Sequence, residues 1–299
     1  MNMNNTSSAI PTAATLSGCV PLPHLGVISV SGADAVTFLH GQLTQDIAHL
    51  APGASALAAL CNPKGRVLAS MYALHLGADE VLLIISADVL EATLARLRRY
   101  VLRAKVQLAD ASGAWQLVGL MGEAAKTATD AHLIALPPAD GAPRVLWLDA
   151  ADTPAPQGES LGAAQWLFAE VRSGAARVGA AISGAFVPQM LCYESLGAVN
   201  FQKGCYPGQE IVARSQYRGA IKRRAFVAHI AADIAAGDEV LDENGQAAGQ
   251  IAHTAPAPNN NGSAVIAALA QDAVERATPL TVRAAPLLDI HRPYELLEI

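Results

Sequence analysis

Cysteine is scarce and unpatterned. Cys19, Cys61, Cys192 and Cys205 form no CxxC pair and have no histidine at zinc-finger spacing. That pattern excludes a structural zinc, a ferredoxin-like cluster and a disulfide framework, so no metal site is expected. No lysine or arginine precedes Lys64, so the charged start of a secretory signal and the Arg-rich face of a mitochondrial presequence are both missing, and a cytoplasmic protein is expected. Apolar runs such as Val81 to Ile85 fall far short of the roughly 18 residues needed to cross a bilayer, so no membrane is expected among the partners. Aromatic residues make up 5% and the net charge is −6, which disfavours direct nucleic-acid binding. What is abundant is apolar material, 52% of 299 residues, enough for the cores of about two domains.

Residues 1–15 are polar and turn-rich and read as a mobile tail. From Gly26 the pattern VISVSG followed by ADAVTFLHGQLTQDI predicts a strand and a helix presenting Val36, Leu39 and Leu43, with Asp34 in its first turn. Strands are predicted at Val67 to Leu74 and Val81 to Ile85, joined by a turn at Gly77-Ala78-Asp79. A helix bearing Leu90, Leu94, Leu97 and Val101 and a strand in KVQLAD follow, a split βαβ arrangement of the ferredoxin-like kind. The helix carries Arg96, Arg98, Arg99 and Arg103, with Lys105 beyond it, as a solvated face or a site for an anionic tail or partner. Residues 150–158 form a surface connection before a helix around Leu161 to Val171. Beyond Arg224 short strands dominate, and Asn244-Gly245 predicts a two-residue hairpin turn. The expected organisation is an α+β body over 16–222 and a small β-barrel over 223–299.

The chemistry concentrates between Phe201 and Arg224, where six basic residues accompany one acid. Gly204 and Gly208 suit a tight loop around Cys205. Pro207 and Gly208 interrupt regular structure, after which Gln209 begins a helix with Glu210 and Arg214 spaced to pair. Cys205 is then set just before a helix start and two residues from Lys203, both of which favour a thiolate.

The segment Lys203 to Glu210, KGCYPGQE, resembles the KGCYTGQE signature of the YgfZ family, whose members resemble the tetrahydrofolate-binding aminomethyltransferase of the glycine cleavage system. FLHGQLTQDI, CNPKGRVLAS, LRRYVLRAKV, FVPQM and QYRGAIKRR also look like family segments in family order. The resemblance implies two interlocked ferredoxin-like α+β units enclosing a central folate channel, followed by a C-terminal β-barrel. It implies tetrahydrofolate or a one-carbon derivative as cofactor, and iron–sulfur client or scaffold proteins, including radical enzymes that thiolate tRNA, as partners. Carried onto this chain, it makes Cys205 the reactive thiol and Lys203 its activator. Tyr206, Gln209, Glu210, Arg172, Gly204, Gly208 and Arg218 become the folate-binding set.

The chain departs from that pattern at three places. Ala69-Ser70 stand where the aminomethyltransferases carry paired carboxylates, so a folate-dependent aminomethyl or C1 transferase is the alternative rather than the leading expectation. Arg172 stands where relatives carry a glutamate that grips the pterin, and Arg supplies donors only. Glu170 or Glu194 is then the candidate acceptor. Cys192 replaces an asparagine common in the family. His40 and His75 read as ordinary histidines.

Overall fold

The computed structural model describes residues 11–297 apart from Ala78, Asp130 and Ala220. Its first half runs β1 (Gly18–Pro21), β2 (Leu25–Ser31), α1 (Ala35–His40), β3 (Ser55–Cys61), β4 (Val67–Gly77), β5 (Glu80–Ser86), α2 (Ala87–Arg98) and β6 (Gln107–Asp110). Five of these strands form an antiparallel sheet in the order β3-β4-β5-β2-β6. The strand β5, EVLLIIS, is apolar without alternation because both its faces are buried. Val81, Leu83 and Ile85 join Ile28, Val30, Leu94 and Leu97 under α1 and α2, whereas Leu82 and Ile84 face a second core.

That second core is closed by β7 (Trp115–Met121), β8 (His132–Ala139), β9 (Ala142–Ala150) and α4 (Ala163–Arg172), while α3 (Glu123–Lys126) packs on the opposite face of the sheet. Their sheet is ordered β1-β7-β9-β8. Trp166 of α4 lies flat on β7 at Gly119, where a Cβ would come within 2.8 Å of three ring atoms.

The remainder comprises α5 (Gln209–Tyr217), β10 (Arg223–Ile230), β11 (Glu239–Leu241), β12 (Ala247–Pro256), β13 (Ser263–Ala270), α6 (Gln271–Glu275), β14 (Thr281–Val282), β15 (Ala285–Pro286) and β16 (Leu288–His291). Its seven strands form one nearly closed, barrel-like sheet in the order β15-β14-β11-β12-β13-β10-β16. Alternation divides the faces: Phe226, Val240, Ile251, Val265 and Leu269 fill the barrel, while Ala225, Ala252, Ala264 and Ala268 share the second core with α4. Those alanines let α4 lie close to β12 and β13. The whole is a mixed α/β fold. No helix among the described residues is long and apolar enough to cross a membrane.

Several local expectations change. The first helix stops at His40 because Gly41 ends it; Leu43 and Ile47 remain fully buried without being helical. Asp34 caps no backbone N–H of α1 and accepts instead from Lys105 N at 2.7 Å. The tail expected over residues 1–15 does not hold at its inner end, since Ala13 is fully buried and its N–H donates to Asp140 at 2.7 Å. Residues 1–10 and Ala78 of the expected turn lie outside the described residues. The hairpin at Asn244-Gly245 is a longer loop: Asp242 and Gln246 still pair, only Gly245 has positive φ, and a bulge falls between Val240 and Leu241. A type I turn followed by a left-handed glycine accounts for this geometry.

Candidate functional site

The family-like segments assemble around Cys205 through backbone contacts. Asn200 Oδ1 accepts from the N–H groups of Gln202 and Lys203 at 2.8 and 3.0 Å, turning the chain inward. The Lys203 side chain then reaches the end of α1, where Nζ donates to the carbonyls of His40 and, at 2.6 Å, Leu43. A helix end presents unsatisfied carbonyls and the negative pole of its dipole, so the ammonium closes it. Nζ also lies 5.1 Å from the centroid of the buried Tyr206 ring. Burial lowers the Lys203 ammonium to about 8, opposed by the charges of Asp46 and Cys205.

Gly208 enters α5 with φ of +84°. A Cβ there would sit 2.8 Å from both Cα and N of Gly65, and closer still to the Asn62 carbonyl oxygen. The Asn62–Gly65 turn is held by Asn62 Oδ1, which accepts from Lys64 N at 2.9 Å and Arg66 N at 3.1 Å. CNPKGR and KGCYPGQE therefore touch backbone to backbone. Gly204 carries no such demand: its φ is not positive, and the nearest atom to an added Cβ is His40 Nε2 at 3.6 Å. Thr44 ties in the third segment, donating to Ala198 O at 2.6 Å and accepting from Ala59 N at 2.8 Å.

Cys205 is the exposed cysteine of the four. Burial pushes the Cys61 thiol up to about 12 and raises those of Cys19 and Cys192 as well. Gln209 reaches back to Lys203 O and Gly204 O at 3.4 and 3.5 Å. Glu210 and Arg218 are exposed. The expected Glu210–Arg214 pair does not form; the i,i+3 and i,i+4 Lys–Glu and Arg–Asp pairs among the described residues are Lys126–Glu123 and Arg276–Asp272.

A cavity of about 60 Å³ lies elsewhere, between the five-stranded sheet and the layer formed by β8, β9 and α4. Leu57, Tyr72, Leu146 and Trp166 give it apolar walls, and Ser70, Arg144, Glu170 and Arg177 its polar groups. The guanidinium of Arg144 lies 4.4 Å over the Trp166 ring. Arg177 donates to Ser86 Oγ at 2.7 Å and to Glu170 Oε2 at 3.4 Å. Burial raises the Glu170 carboxyl, but Arg177 and the basic groups behind it outweigh this and hold it below the usual carboxylate range. The buried nitrogens Arg144 Nε, Arg177 Nε and Trp166 Nε1 have no protein acceptor. Buried donors are seldom left so, and three around one cavity mark a place for a polar ligand.

The structure thus separates what the sequence joined. Lys203, Gly204, Cys205, Tyr206, Gly208, Gln209 and Glu210 gather at the thiol loop, Arg218 lies at the far end of α5, and none of them lines the cavity. Arg172 is at neither place. It donates to both carboxylate oxygens of Asp140 at 2.8 to 3.0 Å and to Asp289 at 3.4 Å, binding α4 to the β8–β9 turn and to β16. Of the two alternative acids, Glu194 is consumed by Arg224 in a buried pair, whereas Glu170 lines the cavity. Ser70, on the cavity wall, accepts from Val178 N at 2.9 Å. The sequence reading missed Arg144 on β9, Trp166 on α4 and Arg177 just beyond it, whose signal was their apolar surroundings, and the partners Thr44, Asp46 and Asn62, which sit inside the family-like segments.

Residues 12–133 match the model of the GCVT N-terminal domain. The tRNA-modifying protein YgfZ of Photorhabdus laumondii subsp. laumondii is 33% identical over 229 residues, 69% of each chain. The protein of the same name from Escherichia coli O157:H7 is 30% identical over 245 residues, 73% of this chain and 74% of the relative. The crystal structure of glycine cleavage system aminomethyltransferase T from Bartonella henselae shares the fold, with a TM-score of 0.70 and 16% identity over 94% of this chain and 87% of that one.

Proposed function

The chain belongs to the YgfZ family, and from that premise we propose that it binds tetrahydrofolate or a one-carbon derivative and supports the assembly or repair of iron–sulfur enzymes, including those that thiolate tRNA. The observation that carries the ligand half is the cavity, with its unsatisfied Arg144, Arg177 and Trp166 donors beside an ionised Glu170. In this reading the two sheet-and-helix layers are the interlocked ferredoxin-like units, and the cavity between them is the ring-binding end of the folate channel, which opens further to admit the rest of the ligand. Glu170 accepts from the donor edge of the ligand's ring, the role that Arg172 cannot fill. The apolar walls exclude water, and the arginine donors suit carbonyl or carboxylate oxygens. Titration with tetrahydrofolate tests this half.

The thiol half rests on Cys205, the exposed cysteine, in the loop that the Lys203 side chain anchors to the end of α1. Limited alkylation at neutral pH, read by mass spectrometry, is expected to label Cys205 before Cys19, Cys61 and Cys192. Earlier labelling of a buried cysteine would contradict the assignment. Complementation by Cys205→Ala in cells lacking the native protein measures whether that thiol is needed.

The transferase reading is the weaker one. Ser70 has no carboxylate, and Glu170 is held ionised against Arg177, so no acid in the cavity is poised to exchange a proton with a folate nitrogen. Methylene transfer from an aminomethylated carrier protein to tetrahydrofolate is expected to proceed no faster than without the protein. A steady catalysed rate would establish the transferase instead.

A further inference from the structure

We propose that the outer face of α5, beside Cys205, docks an acidic surface of a partner protein. The inference deepens the thiol reading above, since a thiol acting on a client needs that client held next to it. Ile211 is 39% and Tyr217 66% exposed, although both are large apolar side chains on a helix whose inner face buries Val212 and Gln216. The Tyr217 ring is held edge-on by Phe201, with centroids 5.8 Å apart, so little side-chain freedom is left to lose on binding.

Cations lie along the helix beside Ile211 and follow Tyr217 in the chain. Arg214 follows Ile211 by three residues on the same helical stripe, and Arg218 caps the end of α5. The Lys64–Gly65 turn borders it, since an added Cβ on Gly65 would lie 2.9 Å from Ile211 Cβ. Lys64, Arg214, Arg218 and Lys222 are all exposed. None belongs to the ion pairs among the described residues. Glu210 is the lone acid from 201 to 224 in a chain of net charge −6. A positive, apolar-centred patch on an otherwise acidic protein matches the tyrosine- and arginine-rich centre of a protein interface and calls for a negative counterpart. A single-stranded nucleic acid fits it less well. Such binding uses successive stacking rings, and with Tyr206 buried, Tyr217 is the open ring on this segment.

The test uses the full chain expressed in its own kind of cell with Tyr217→benzoylphenylalanine, irradiated, with adducts identified by mass spectrometry. The expected result is a protein adduct whose contact peptides are rich in Asp and Glu, with yield falling about tenfold when Arg214→Glu and Lys222→Glu are added. That charge-reversed variant must keep the parental melting temperature and tetrahydrofolate affinity, which separates loss of docking from loss of fold. Nuclease-sensitive adducts, adducts to a second copy of the chain, contact peptides without acidic excess, or no adduct would each overturn the proposal. Complementation by Cys205→Ala is read separately, so failure of the thiol reading and failure of the docking face are distinguishable.

Discussion

Gly208→Ala is expected to destabilise the protein by about 3 kcal/mol, combining left-handed strain with overpacking, and to lower its melting temperature by about 6 °C or more. The strain comes from φ of +84°, and the overpacking from a methyl group driven into the Asn62 carbonyl and the Gly65 backbone. None of these atoms is the end of a flexible side chain, so relief requires the two turns to move apart. The displacement would carry Cys205 with it, so its alkylation rate should change together with stability. Gly204→Ala, one residue from the same thiol, is expected to change stability by no more than about 0.5 kcal/mol. Comparable melting temperatures for the two variants would mean that the contact between CNPKGR and KGCYPGQE does not hold the loop.

Glu170→Gln is expected to weaken tetrahydrofolate binding about 100-fold, or about 2.7 kcal/mol, and to cost about 3 kcal/mol of stability. The second effect follows because Arg177 and Arg144 would lose the carboxylate that offsets their burial. With a folded-state pKa below its unfolded value, Glu170 contributes this stability at neutral pH, and the contribution is lost as pH falls through the folded value. The wild-type protein should therefore lose stability on acidification where Glu170→Gln loses less. Glu194→Gln is the control. It disrupts the buried pair with Arg224, away from the cavity, and should lower stability while leaving the folate affinity of the folded protein unchanged. Equal loss of affinity in both variants would show that Glu170 acts through the fold alone.

Much of the architecture was legible because periodicity survives without tertiary context. The alternating or wholly apolar strands β4 and β5, the amphipathic α2 and the alanine-spaced strands after Arg224 are all local patterns. The sheet of β1, β7, β9 and β8 was not read, since its strands gain definition only by pairing across long sequence separations. The strand β3, SALAALC, is alanine-rich and has little intrinsic strand preference; its pairing with β4 along Ser55 to Cys61 supplies what propensity does not. Within the site, the charge spacing of Glu210 and Arg214 predicted a pair that does not form, whereas the helix start after Cys205 followed from Pro207 and Gly208. The cavity did not, because Arg144, Glu170 and Arg177 come from β9, α4 and the following segment and meet only in the folded chain. Arg172 illustrates the same limit: its alignment with a ligand-binding position says nothing of Asp140 and Asp289, which occupy it.

Calorimetric titration of tetrahydrofolate into the full chain, Cys205→Ala and Glu170→Gln tests the account most directly. The account predicts micromolar binding, about −8 kcal/mol, by the wild-type chain, the same affinity for Cys205→Ala because the thiol lies outside the cavity, and loss of about two orders of magnitude for Glu170→Gln. No heat at millimolar reduced folate, or an unchanged affinity in Glu170→Gln, would contradict it.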